Sequence, residues 1–199
     1  MSIKCGCGAI ALGLGLASLP VSAEVAEYRL DPEHSSVLFF VSHMGFADVA
    51  GRFGGLQGRL LFDSEAPAQS SVEVTVDAAS VTTFHERRDQ HLKSPDFFNV
   101  VEFPHLTFES TSVAMAGPDR GTLNGNLTLL GVTRPVALEL KLNRQGLHTF
   151  NKRDWIAGFK ATGTLRRSDF GMNYGLVDDI GIGDEVELRI EVEATRITP

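Results

Sequence analysis

The side chains of this 199-residue chain that could do chemistry are six histidines, a scatter of serines and an excess of carboxylates. Nucleophilic catalysis requires a hydroxyl or thiol beside a base. His34 and Ser35 are neighbours, but successive residues of an extended strand point to opposite faces, so they form no dyad with each other. Ser35 reads instead as a strand-start hydroxyl bonded to backbone. The chain has no Gly-x-Ser-x-Gly elbow. A metal centre needs His or carboxylate ligands that converge, and neither His-x-His nor His-Glu-x-x-His occurs. His34 and His43 are an odd step apart and fall on opposite faces of one strand, while His85 and His91 do not align on a helix. No metal and no catalytic residue is therefore expected. Asp89 and Asp96 flank one turn, with Arg88 and Lys93 at hand to neutralise them. Trp155, the only tryptophan, stands beside Arg153 and Asp154 and reads as a partly exposed loop anchor.

What the chain has in quantity is phenylalanine, 13 residues against two tyrosines and one tryptophan. A phenyl ring adds large apolar area with no polar atom to satisfy. Any one of them suits an ordinary core. Phe39, Phe53, Phe97, Phe98, Phe108 and Phe159 together suit an interior that is wide and apolar.

The elements that would position these rings are strands. In VELRIEVEATR, Val186, Leu188, Ile190 and Val192 alternate with Glu187, Arg189, Glu191 and Glu193, a period of two with one wet face. SVEVTV and PVALELKL repeat the pattern. HSSVLFFVSHMG is apolar on both sides between Val37 and Val41, as a strand covered on both faces or lying centrally would be. LQGRLLFD, LTFESTSVAM, LNGNLTLLG and GFKATGTLRRSDFG complete about eight strands. Gly-Pro-Asp (117–119) and Asn-Gly (124–125) read as turns between them. Many antiparallel strands in one domain leave a sandwich or a closed barrel, and inward glycines (Gly58, Gly163) favour the barrel. One segment breaks the pattern, RDQHLKSPDFF. Phe84, Arg88 and Leu92 have helical spacing, and Ser94-Pro95-Asp96 reads as a helix start with Ser94 as N-cap. Such an insertion belongs across the open end of a barrel, with Phe97 and Phe98 as a plug or gate.

Residues 1–23 have Lys4 near the start, an apolar run from Ala9 to Leu19 and a small residue, Ala23, at the end. That order predicts a cleaved signal peptide, hence a periplasmic protein whose domain spans 24–199. Both cysteines, Cys5 and Cys7, lie within the leader, so the mature chain must fold without disulfides. The formal charge of −7 and the lack of a basic stripe argue against nucleic acid as a partner.

Four blocks in order, HSSVLFFVSHMGFADVAGRF, RDQHLKSPDFFNVVEFPHLTFESTSV, GNLTLLGVTRPVAL and RRSDFGM, resemble the YceI-like family of exported lipid-binding proteins. The resemblance runs from Tyr28 to Arg196. It departs at Met44-Gly45, at Phe46-Ala47 and at Leu130-Gly131, where a histidine often precedes the glycine. It implies a lipocalin-like, eight-stranded antiparallel barrel with a short helical cap, no enzymatic activity and no cofactor. It further implies a long-chain isoprenoid or other amphipathic, quinone-like lipid in the interior, a homodimer, and a membrane cytochrome of the b561 type as a partner. Candidate ligand contacts are then Val37, Phe39, Val41, His43, Phe53, Phe97, Phe98, Phe108, Leu127, Leu129, Phe159 and Phe170. Arg88, His91 and Arg167 would serve as donors to a polar head at the mouth. Two other readings remain: an enzyme acting on an isoprenoid with His43 or His91 as general base, and a filled barrel serving an external partner.

Overall fold

The structure, a computed structural model, describes residues 25–177 and 181–197. The expected leader, residues 1–23, lies outside them. Ten strands form one antiparallel sheet: β1 (Ala26–Leu30), β2 (Ser36–His43), β3 (Ala47–Phe53), β4 (Gln57–Phe62), β5 (Ser71–Asp77), β6 (His105–Met115), β7 (Arg120–Leu129), β8 (Val132–Leu147), β9 (Trp155–Arg166) and β10 (Ile182–Arg196). The ladder β1-β4-β5-β6-β7-β8-β9-β10 closes through β1–β10 pairing (Leu30 opposite Ala194) into an eight-stranded barrel. β2 and β3 do not add positions to it. β2 pairs with the other half of β10 (Leu188 opposite Phe39), and β3 pairs with β2. β1 and β2 are thus two halves of one broken strand, as are β3 and β4. The first break is spliced by Ser35, whose hydroxyl donates to Glu193 O at 3.3 Å and accepts from Glu193 N at 3.2 Å. The hydroxyl expected to bond backbone does so.

The expected eight-stranded barrel is present, and the two short halves β1 and β3 are what sequence patterning missed. AEYRL is too short to display alternation, and ADVAGRF has small residues where a strand face usually shows itself. β2 is central in its ladder, between β10 and β3, which accounts for its two apolar sides. The Asn-Gly turn expected at 124–125 is overturned: both residues lie inside β7. Asn124 Nδ2 donates to Ser112 Oγ at 3.1 Å across the ladder. Gly125 is there for closeness, since a Cβ on it would stand 2.3 Å from the Phe108 ring and 2.6 Å from Glu109 O.

The one α-helix among the described residues, α1 (Glu86–Leu92), lies between β5 and β6, as a short helical cap should. Its start is not at Ser94. His85 is the N-cap, Nδ1 accepting from Arg88 N at 3.3 Å, and Ser94–Phe98 is a turn that follows the helix, Phe97 N and Asn99 N both donating to Ser94 O. Ser94 Oγ still accepts from Asp96 N at 3.3 Å, so the capping residue bonds locally without a helix to cap. The core divides into clusters along the barrel. Tyr28, Leu30, Phe62 and Ala157 pack at the β1 end; Phe97, Leu129, Phe170 and Met172 pack at the α1 end.

Candidate functional site

Alternation sends every second residue of each strand inward. Val37, Phe39 and Val41 from β2 face Val186, Leu188 and Ile190 from β10 at matching register. Phe108 and Leu127 meet across β6 and β7, and Phe159 stands inward on β9. Small residues fill part of the same layer: Gly163 is opposite Leu188, and Ala161 is opposite Ile190. The inward side chains therefore leave much of the interior unfilled, although Phe62 on β4 meets Phe159 on β9 edge-on at 5.4 Å. They enclose a cavity of about 800 Å³. Its size is in the range of ligand cavities.

Glycine seats hold the larger rings against the wall. A Cβ at Gly51 would lie 2.1 Å from the tip of the Phe39 ring, and Gly125 seats Phe108 in the same manner. Without those seats both rings would have to swing into the lumen. The cavity runs from Ser64, Ser70, Asp119, Arg120 and Gln145 at one end to His43, Met44, Tyr174 and Val177 at the other.

The segment Thr82–Phe98 covers the second end and is pinned by polar contacts. Asp89 Oδ1 accepts from Thr83 N at 2.7 Å and from Thr83 Oγ1, and Oδ2 accepts from Thr82 Oγ1 at 2.9 Å. Arg88 donates from Nε to Thr83 Oγ1 at 2.7 Å and from Nη2 to Thr83 O at 2.9 Å. Burial would raise the Asp89 carboxyl, but the hydrogen bonds from Thr83 and Thr82, with the Arg88 charge, outweigh it and hold the group below its usual range. From this anchor Phe98 reaches edge-on into the Phe53 ring at 5.1 Å, and Phe97 packs with Leu129 and Met172. His91 bonds Asp96 Oδ2 through Nε2 at 2.9 Å and meets the rings of Phe97 and Tyr174 edge-on at 5.0 and 4.9 Å.

Fourteen of the fifteen candidate contacts line the cavity, and Phe170 does not. Phe170 is 2 % exposed in the 3-10 turn Arg167–Phe170, behind the layer that Phe97 and Leu129 form. Arg167 lines the wall but is not a donor to a head group. Its Nε donates to Gly183 O, Nη1 to Met172 O and Nη2 to Ile182 O, each at 2.8 Å. Burial lowers its pKa and Asp184 opposes that. Arg167 thus closes the loop between β9 and β10. Arg88 remains exposed at the mouth with two donors engaged, so His91 is the better placed polar group there.

Sequence spacing also hid one cluster. Asp31, His34 and Glu193 come together at the β1–β2 break because Glu193 arrives from β10. Asp31 Oδ2 lies 2.8 Å from His34 Nδ1; that hydrogen bond and the carboxylate charge raise the exposed imidazole above its ordinary pKa. The wall also contains Leu138, Leu140, Leu165 and Leu188, none of them among the candidate contacts. Their alternation was legible; that they face a space rather than a packed core was not.

Fold and cavity together define a hollow, eight-stranded antiparallel β-barrel with an apolar lumen and a helical cap. The YceI-like domain model matches residues 28–194, and the chain belongs to the YceI-like family. It is 42 % identical to "Protein YceI" of Salmonella arizonae over 191 residues, 93 % of this chain and 96 % of that one. Among solved structures, it resembles the Campylobacter jejuni YceI protein at a TM-score of 0.65 and 27 % identity, covering 77 % of this chain and 88 % of that one. BcnA of Burkholderia cenocepacia shares the fold at a TM-score of 0.73 and 24 % identity, covering 83 % and 99 %. A polyisoprenoid binding domain from Saccharophagus degradans, implicated in plant cell wall breakdown, shares it at a TM-score of 0.64 and 16 % identity, covering 87 % and 99 %.

Proposed function

We propose that this protein is a periplasmic carrier that holds a long-chain isoprenoid or quinone-like lipid in its barrel. The observation that carries the reading is the cavity of about 800 Å³ walled by Val37, Phe39, Leu127, Leu138, Phe159 and Leu188. An interior of that size and composition has little to offer a polar solute. Each methylene moved from water into it gains about 0.8 kcal/mol, and the ordering of a flexible chain offsets part of that sum. The Saccharophagus domain of the same fold, described as polyisoprenoid-binding, supports this ligand class. The polar head sits beside His91 and Tyr174, where the cavity reaches the surface. The filled-barrel reading loses ground, because the inward side chains leave a large space between them.

The enzyme reading has one observation in its favour, the His91–Asp96 pair at the mouth. A carboxylate that orients an imidazole is the arrangement of a general base. Turnover of an isoprenoid substrate that is lost on His91→Ala or His43→Ala would establish it. The carrier reading expects none, and expects tight retention instead. Native mass spectrometry of protein purified from its own host, followed by organic extraction, tests it: an apolar adduct of isoprenoid mass is expected, and adduct-free protein that also fails to take up added polyprenol refutes it. The same spectra read whether the protein is a homodimer. Co-purification from solubilised membranes tests the b561-type cytochrome as partner.

A further inference from the structure

Four apolar side chains stand exposed on two neighbouring loops at the α1 end of the barrel. Met44 and Phe46, on the β2–β3 hairpin, are 47 % and 89 % exposed; Tyr174 and Val177, on the loop after the 3-10 turn, are 46 % and 57 % exposed. Met44 N donates to Gly181 O at 2.9 Å and Gly181 N to Val177 O at 3.0 Å, which joins the loops into one surface. Met44, Tyr174 and Val177 also line the cavity. The patch is therefore the lip of the mouth. The other end of the cavity is bordered by Ser64, Ser70, Asp119, Arg120 and Gln145 together with Pro67, Met115 and Pro118, so polar and charged groups are mixed with apolar ones there.

The hairpin is built to hold its tip out. Met44 (φ 55) and Gly45 (φ 67) are both left-handed, and Phe46 N returns to His43 O at 3.1 Å, a tight turn within the three-residue connection between the paired His43 and Ala47. Asn or Gly is the usual first residue of such a turn. A methionine there gives up local preference for apolar reach.

We propose that this lip docks on a phospholipid bilayer, inserting Met44, Phe46, Tyr174 and Val177 at the boundary of head groups and acyl chains so that the cavity opens directly into the membrane. The proposal rests on the lipid-carrier reading, in which an insoluble ligand must pass this mouth. A bilayer fits better than a second copy of the chain, since a second copy seated on the lip would seal the mouth. A bilayer supplies apolar contact and ligand at the same place. Among the described residues the two loops of the lip carry no lysine or arginine, Asp48 stands next to them, and Arg88, exposed at the same mouth, has Nε and Nη2 engaged by Thr83. Attachment is then by apolar insertion, indifferent to salt and to anionic lipid.

The test is flotation of the purified full chain with vesicles of equal parts phosphatidylcholine and phosphatidylethanolamine, at low and high salt. The wild type should float equally at both. The variant Phe46→Asp should lose about tenfold or more in bound fraction, since the most exposed anchor of the lip becomes a charge while the cavity lining, to which Phe46 does not belong, is left intact. Its release of co-purified lipid to vesicles should slow in step, while lipid retained without vesicles stays unchanged. Wild type that carries lipid but does not float overturns docking and leaves the carrier reading standing. So does a variant that floats as well as the wild type. Sedimentation velocity showing a dimer that the variant dissolves assigns the lip to a second copy and also overturns it. Flotation that depends on the lip in protein that takes up no lipid supports docking and refutes the carrier.

Discussion

Ile190→Trp separates a hollow barrel from a solid one. Ile190 points inward from β10, flanked at register by Val37 on β2 and Ala161 on β9. It is only half-buried, because part of its surface faces the lumen. In a close-packed core, enlarging it to an indole would cost about 1–3 kcal/mol. For a domain of this size, that lowers Tm by about 2–4 °C per kcal/mol. Here the indole has about 800 Å³ to enter. Folding stability should be unchanged or slightly raised, since the ring leaves water-exposed lumen for contact with Val37 and Phe39. Ligand binding should suffer. A ring across the lumen displaces three or four methylenes of a threaded chain, a loss of about 3 kcal/mol and hence about a hundredfold in affinity. Thermal melting of lipid-stripped protein and titration with a fluorescent polyprenyl analogue read the two effects separately. A fall in Tm of several degrees with binding intact would refute the argument, since it would mean that Ile190 packs in a filled interior and that the ligand does not lie along the axis.

The anchor of the cap is sensitive to acid. The Asp89 carboxyl is held below its usual range, so its contribution is complete above the unfolded carboxylate range, about pH 4, and is lost as pH falls through the lower folded value. Asp89→Asn should therefore be less stable than wild type at neutral pH by about 1–3 kcal/mol, and the difference should shrink below about pH 4 in chemical denaturation. Arg167→Met strips three carbonyls, one buried and two part-buried, of their donor and should cost about 3 kcal/mol in the same assay, with no change in head-group preference. Gly125→Ala places a methyl against the Phe108 ring, so it should cost about 1–3 kcal/mol and reduce ligand capacity, as the ring turns into the lumen.

Much of the fold was legible because period two is a local property. Val186 to Val192 alternate with charges whatever they pack against, and a chain of such segments with short turns makes a closed antiparallel sheet. The failures share one cause. Asn124-Gly125 has the chemistry of a turn, but Phe108 from β6 needs the glycine as a seat and β8 continues the ladder, so tertiary pairing overrode the local signal. Ser94-Pro95 has the chemistry of a helix start, but Leu92 O and Ser94 O accept from Phe98 N and Phe97 N, and the turn closes around the two rings instead. Arg167, chosen for its charge, is turned into the wall by three carbonyls contributed from residues 172, 182 and 183.

The sequence by itself determined the strands, the apolar character of one face of each, and the capping segment between β5 and β6, because these follow from residue type and spacing. Only the tertiary structure decided that the apolar faces enclose a space. Whether inward side chains meet depends on the radius of the closed sheet and on which rings find a glycine across the ladder. Those are relations between residues far apart in the chain, such as Phe39 with Gly51 and Phe108 with Gly125. The same holds for the lip, where an exposed Phe46 acquires meaning only beside Val177 and the mouth of the cavity.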